Sequence, residues 1–284
     1  MELASVGIVG SGIMGSGIAE TAVQSGHEVI LLSRTPDSGQ TMARAIKTSL
    51  DRRVERQKIT SAQADDALRK LTVTNEISDL RGCDLVIETV VEDLAVKRRV
   101  MKDLDIVCKP TTILASNTST FPVVELAAAT ARPDKVCGIH FFNPAPVMRL
   151  VEIVRTLVVS EETIQRAKSF VLSCHKEPVE VKDQAGFIVN ALLFPYLNNA
   201  IKLLEQKVAT KEDIDLAMKG GCGFPMGPFG VLDLVGLDTA LSILNALYEE
   251  FGDPNYSPAP LLKRMVAAKM YGRKNKIGFY SYSS

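Results

Sequence analysis

The chain has 284 residues, enough to bury a sizeable core in one or two domains. Its 33 lysines and arginines balance 33 aspartates and glutamates, so no global charge draws it to nucleic acid or to a membrane surface. The opening MELASVGIVG lacks a basic region leading into an apolar core, and no apolar run nears the ~20 residues that span a bilayer, so a cytoplasmic protein is expected.

Residues 3–9 (LASVGIV) form a short apolar strand, followed by GSGIMG and a small-residue helix to about Ser25. Gly26 stops that helix and HEVILL makes the second strand, the opening of a doubly wound α/β sheet. Over 37–58 the apolar residues Met42, Ile46, Leu50 and Val54 recur every four positions, which predicts a helix covering the sheet. Further strands are expected at 84–88, 112–116 and 136–140, with helices over 93–105 and 121–129 between them. Segments 149–155 and 178–182 extend the sheet, separated by a helix over 161–174.

Near Asp183-Gln184-Ala185-Gly186 the patterning changes from strand type to helix type. Helices are predicted over 187–208, 211–219, 231–249 and 258–270, with Thr210 as an N-cap facing Asp213. The sequence therefore divides into an N-terminal Rossmann-type dinucleotide-binding domain, 1–183, and an all-helical C-terminal domain, 184–284. Some apolar surface of the second domain is a candidate subunit interface.

Gly10-Ser11-Gly12-Ile13-Met14-Gly15 fits GxGxxG between a strand and a helix. Its first glycine permits a tight turn, its second lets backbone N–H groups approach a pyrophosphate, and its third lets the helix pack close to the sheet. An acid that grips the adenosine ribose of NAD is usual about 20 residues on. Here Ser33, Arg34 and Thr35 stand there instead. Without a carboxylate to repel a 2′-phosphate, and with a guanidinium to attract one, an NADP(H) preference is expected, with NAD(H) as the alternative.

Three polar groups stand on otherwise apolar ground: the SNTST run at 116–120, His140 at the head of HFFNPAP, and Glu152 inside RLVEIV. The SNTST run and His140 fall at the ends of neighbouring strands, where open α/β sheets hold ligands. A histidine paired with a buried carboxylate suits proton transfer. The five cysteines have no CxxC pair and read as buried free thiols, and the three histidines have no metal-site spacing.

VGIVGSGIMGSGIA, LASNTST, RPDKVCGIHFFNPAPVMRLVEIV, GFIVNALLFPYLNNAI, KEDIDLAMKGGCGFPMGPFG and GRKNKIGFY occur in order along the chain. In these motifs the sequence resembles the L-3-hydroxyacyl-CoA dehydrogenase family, its short bacterial 3-hydroxybutyryl-CoA members in particular. The resemblance implies His140 as catalytic acid/base, oriented by Glu152. It implies Ser119 and Asn190 at the substrate oxygen and thioester, and Asn117, Glu92 and Lys97 at the cofactor end. It also implies a short-chain acyl-CoA substrate and a helical domain that dimerises, while the balanced charge leads us to expect no nucleic-acid or membrane partner. Ser33-Arg34 departs from the family's usual acid, and Gly230 stands where relatives commonly carry glutamate. Rival readings are a dehydrogenase of broader chain length, one for free β-hydroxy acids, and a non-catalytic dinucleotide-binding protein.

Overall fold

In the computed structural model the chain divides into two compact units, Met1–Asp183 and Gln184–Ser284. Residues 3–282 are described; Met1, Glu2, Ser283 and Ser284, which fall in the expected domain ranges, lie outside them.

The first unit is built on one eight-stranded sheet: β1 (Ser5–Val9), β2 (Glu28–Leu32), β3 (Leu71–Thr74), β4 (Leu85–Glu88), β5 (Ile113–Ser116), β6 (Val136–Phe141), β7 (Leu150–Arg155) and β8 (Glu177–Lys182). Their order is β3-β2-β1-β4-β5-β6-β7-β8, and every pair is parallel except the antiparallel β6–β7. β4, β5 and β6 are buried along their whole length. Strands covered on both faces read as unbroken apolar runs, which is why DLVIE and TILAS are legible without alternation. The chain order reverses between β1's neighbours β2 and β4, so the switch-point crevice opens at the carboxyl ends of these strands.

Helices α1 (Ile13–Gln24), α2 (Pro36–Glu55), α3 (Ser61–Arg69), α4 (Leu94–Val107), α5 (Val123–Ala127) and α6 (Glu161–Ser173) complete the unit. Thr35 caps α2 through a reciprocal box with Ser38, Pro36 occupies the first turn, and Arg52 and Arg53 sit in the last. Its stripe buries Met42, Ile46 and Leu50, with Val54 partly buried, about 2 kcal/mol for each fully covered side chain. Asp183 ties the unit's end back, accepting from the Val123 and Val124 N–H groups at 2.8 and 2.7 Å.

α3 and β3 went unread in the sequence. α3 buries only Ala64 and Ala67, and the edge strand β3 is half-buried, so neither shows a strong apolar period. The signal present was Thr60 three residues before Gln63, a capping box that the structure forms.

The second unit holds α7 (Val189–Glu205), α8 (Lys211–Cys222), α9 (Pro228–Val235), α10 (Leu237–Phe251) and α11 (Pro260–Ala267) around a core that includes Phe194, Leu197, Phe229, Leu244 and Phe279. Thr210 caps α8 as expected, and Gly223 ends that helix in the left-handed region at φ 69°. The single helix expected over 231–249 is two, bent by 97° at Gly236, whose φ of 104° breaks the helical path. Among the described residues no single helix is long and apolar enough to cross a membrane. Four cysteines are buried free thiols; Cys222, contrary to expectation, is exposed.

Candidate active site

Register places the central pair. β6 and β7 run antiparallel with His140 directly opposite Glu152, so two residues twelve apart in sequence meet side by side. His140 Nδ1 lies 2.7 Å from Glu152 Oε2, and the two residues are only 6 % and 1 % exposed. A bond this short commits Nδ1 to the carboxylate and fixes the ring's orientation. The ring leans on Phe142, with centroids 4.6 Å apart.

Beside this pair, the 116–120 loop leaves the carboxyl end of β5. Asn117 Oδ1 accepts from the Phe141 N–H at 2.8 Å, linking the loop to the residue after His140. Beneath it lies an ionic network that sequence reasoning missed in part. Glu88, wholly buried at the end of β4, accepts from Ser116 Oγ at 2.7 Å, from Val90 N at 2.6 Å and from Lys97 Nζ at 3.0 Å. Lys97, itself buried, also pairs with Glu92 at 3.0 Å. Glu92 in turn accepts from the hydroxyls of Thr118 and Thr120 and from the Ser119 N–H. Burial pushes the Glu92 carboxyl up, but the Lys97 ammonium and the two threonine hydroxyls outweigh it and hold it below the usual carboxylate range. Lys97 therefore holds the loop from below, while its helix neighbours Val96 and Val100 line the crevice. The Ser119 hydroxyl takes no part in this network. Glu88 carried the same signal as Glu152, an acid in an apolar strand.

The crevice at the switch point has a volume of about 700 Å³ and is lined by Gly10, Ser11, Gly12, Arg34, Glu76 and Thr89 among others. Gly10 has φ 129°, and an added Cβ there would lie 2.7 Å from the Thr89 carbonyl oxygen. At Gly15 the same atom would meet the Gly10 carbonyl oxygen at 2.3 Å, so the helix can start this near the strand only without a side chain. Gly12 caps α1 in extended conformation and an added Cβ would meet nothing within 4 Å, so the helix's positive end faces open space. These residues fit a dinucleotide pyrophosphate. Within the motif, Ile13 is exposed at the start of α1 and Met14 packs on the core. Asn190 belongs to the other unit, buried in the first turn of α7. Among the described residues no cluster of His, Cys, Asp and Glu can hold a metal ion.

Residues 5–184 match the 3-hydroxyacyl-CoA dehydrogenase, NAD binding domain, and residues 186–282 match the same family's C-terminal domain. The chain belongs to the 3-hydroxyacyl-CoA dehydrogenase family. It is 45 % identical to a 3-hydroxybutyryl-CoA dehydrogenase of Clostridioides difficile over 97 % of this chain and 98 % of that one. It is 42 % identical to the mitochondrial hydroxyacyl-coenzyme A dehydrogenase of Homo sapiens, over 98 % of this chain and 90 % of the relative. The crystal structure of the (S)-3-hydroxybutyryl-CoA dehydrogenase of Ralstonia eutropha superimposes with a TM-score of 0.97 at 40 % identity, covering all of both chains.

The NADP(H) preference expected from Ser33, Arg34 and Thr35 is overturned: the domain that carries them is the family's NAD binding domain. The side chains explain part of the error. Ser33 is buried and its hydroxyl donates to the Thr35 carbonyl at 2.8 Å, and Thr35 Oγ1 accepts from the Ser38 N–H to cap α2. Two of the three side chains that stand in place of the usual acid are thus occupied by the chain's own backbone.

Proposed function

We propose that this dehydrogenase interconverts acetoacetyl-CoA and (S)-3-hydroxybutyryl-CoA with NAD(H). The observation that carries the reading is the His140–Glu152 pair, held at 2.7 Å beside the loop that presents Ser119. Relatives named as 3-hydroxybutyryl-CoA dehydrogenases, matching nearly end to end, support the short acyl chain.

NADH held at the Gly10–Gly15 turn would supply the hydride for the 3-oxo carbon. His140 holds the proton that the ketone oxygen gains, and in the oxidative direction it takes that proton from the hydroxyl. Glu152 fixes the ring through its short bond to Nδ1 and sets a negative charge beside it. The Ser119 hydroxyl holds the substrate's oxygen as charge develops. The Glu88–Lys97–Glu92 network keeps the 116–120 loop in place, so Ser119 and Asn117 meet their ligands without reorganisation.

For the CoA moiety, a groove along Asn143–Pro146, α1 and Ser49 shares Pro146 with a cavity of about 700 Å³ lined by Arg53, Arg149, His175 and Lys176. Lys176 is buried and donates to the Ala145 and Met148 carbonyls at 2.8 Å each, fixing the groove's floor and bringing positive charge to its end. Such charge suits the phosphates of CoA. The helical unit would pair two copies.

Steady-state reduction of acetoacetyl-CoA by NADH, against free acetoacetate and longer 3-oxoacyl-CoA thioesters, tests the reading. Turnover should favour the short thioester, and His140→Gln should lose orders of magnitude while circular dichroism stays unchanged. Equal turnover of the free acid, or near-normal rates in the variant, would dismiss it. The human relative supports a second reading, a broader chain-length range, which the same thioester series resolves.

A further inference from the structure

The end of β2 carries no acid, yet the domain is an NAD binding domain, so the discrimination against a 2′-phosphate needs another source. Position 33 cannot supply it: Ser33 is buried, its hydroxyl is donated to the Thr35 carbonyl, and an added Cβ on Gly39 would lie 2.6 Å from its oxygen, so α2 closes over it. One strand further out, β3 runs parallel to β2 with Thr74 opposite Leu32. The residues that follow each strand therefore emerge together at the carboxyl edge, and Asn75 and Glu76 line the same crevice as Arg34. The Glu76 backbone is held there, its N–H donating to Thr74 Oγ1 at 3.0 Å while the Thr74 hydroxyl donates to Asp79. Its side chain is exposed and forms no ion pair with any described residue, Arg34 included.

We infer that Glu76, just beyond the end of β3 rather than of β2, is the specificity-determining acid of the adenosine pocket. Its carboxylate accepts from the ribose hydroxyls of NAD(H), offsets the pull of Arg34, and repels a 2′-phosphate. The inference rests on the NAD(H) reading proposed above.

Dissociation constants of NADH and NADPH, measured by nicotinamide fluorescence without substrate, test it in the wild type, Glu76→Gln and Arg34→Gln, with a thermal melt to verify folding. The wild type should favour NADH, and Glu76→Gln should narrow the NADH-to-NADPH ratio by about tenfold, the size of one charge-assisted hydrogen bond. Arg34→Gln should leave NADH binding within about twofold, since the guanidinium is not the ribose ligand. A selective wild type whose ratio is untouched by Glu76→Gln, or a large loss of NADH binding in Arg34→Gln, overturns the inference alone. A wild type that binds NADPH as tightly as NADH withdraws the NAD(H) reading and the inference with it.

Discussion

Replacing Glu152 by Gln isolates charge from shape. The amide fills the same space between β6 and β7 and its oxygen can still accept from His140 Nδ1, so the ring keeps its place. What disappears is the negative charge. With the atoms 2.7 Å apart and the charge centres about 4 Å apart, the gross attraction for a protonated ring is about 4 kcal/mol at an effective dielectric constant near 20. The neutral hydrogen bond that the amide retains, about 1 kcal/mol, offsets part of this and leaves a deficit of about 3 kcal/mol. That deficit falls where the ring must carry the proton, and it corresponds to a loss of about a hundredfold in kcat. Stopped-flow reduction of acetoacetyl-CoA by saturating NADH measures the loss, and NADH affinity should be unaltered because the pair lies outside the dinucleotide crevice residues. A kcat within about threefold of the wild type would mean that the carboxylate serves only packing, and the assignment of Glu152 as an electrostatic support would fall.

Gly138 faces Val154 across β6–β7, and an added Cβ would lie 2.6 Å from the valine's Cβ and Cγ2; Gly138→Ala should therefore lower stability by about 2 kcal/mol in urea titration, and an unchanged midpoint would show that the sheet gives way freely. In the helical unit, buried Asp233 accepts from Phe279 N at 2.9 Å, Tyr280 N at 2.8 Å and the Tyr282 hydroxyl at 3.0 Å, so Asp233→Asn turns an N–H toward a donor. The expected cost is about 2 kcal/mol, with earlier proteolysis of the 278–282 segment; wild-type resistance would argue that the segment is held elsewhere. Because the folded Glu92 carboxyl titrates below its ordinary value of 4.5, its contribution to stability is present above that pH and is lost as pH falls through the lower folded value. The stability gap between wild type and Glu92→Gln, open at neutral pH, should narrow as the pH drops past about 4.5; a gap that widens there would reverse the sign of the argument.

Strands β4 to β7 and the GSGIMG turn were legible because their physics is local. Full burial writes an unbroken apolar run, and a tight turn against a helix start demands glycine. The switch to helical periodicity after Asp183 was legible for the same reason, since amphipathic period depends only on neighbours along the chain. His140 and Glu152 could be singled out as polar residues on apolar strands, but their meeting depends on the antiparallel β6–β7 register.

Other features belong to tertiary structure alone. A two-residue hydrogen bond and the close approach of Gly39 decide that Ser33 serves the backbone, which no reading of SRT as a charge pattern could reveal. Parallel pairing of β2 with β3 brings Glu76 to the crevice from a segment that reads as featureless. The burial of Lys97 between Glu88 and Glu92 likewise depends on β4, α4 and the 116–120 loop converging. By itself the sequence determined which segments fold and which polar groups sit among them. Only the packed sheet decided which of those groups face a ligand and which hold the chain, because a hydrogen-bond donor goes to whatever acceptor the register brings within about 3 Å.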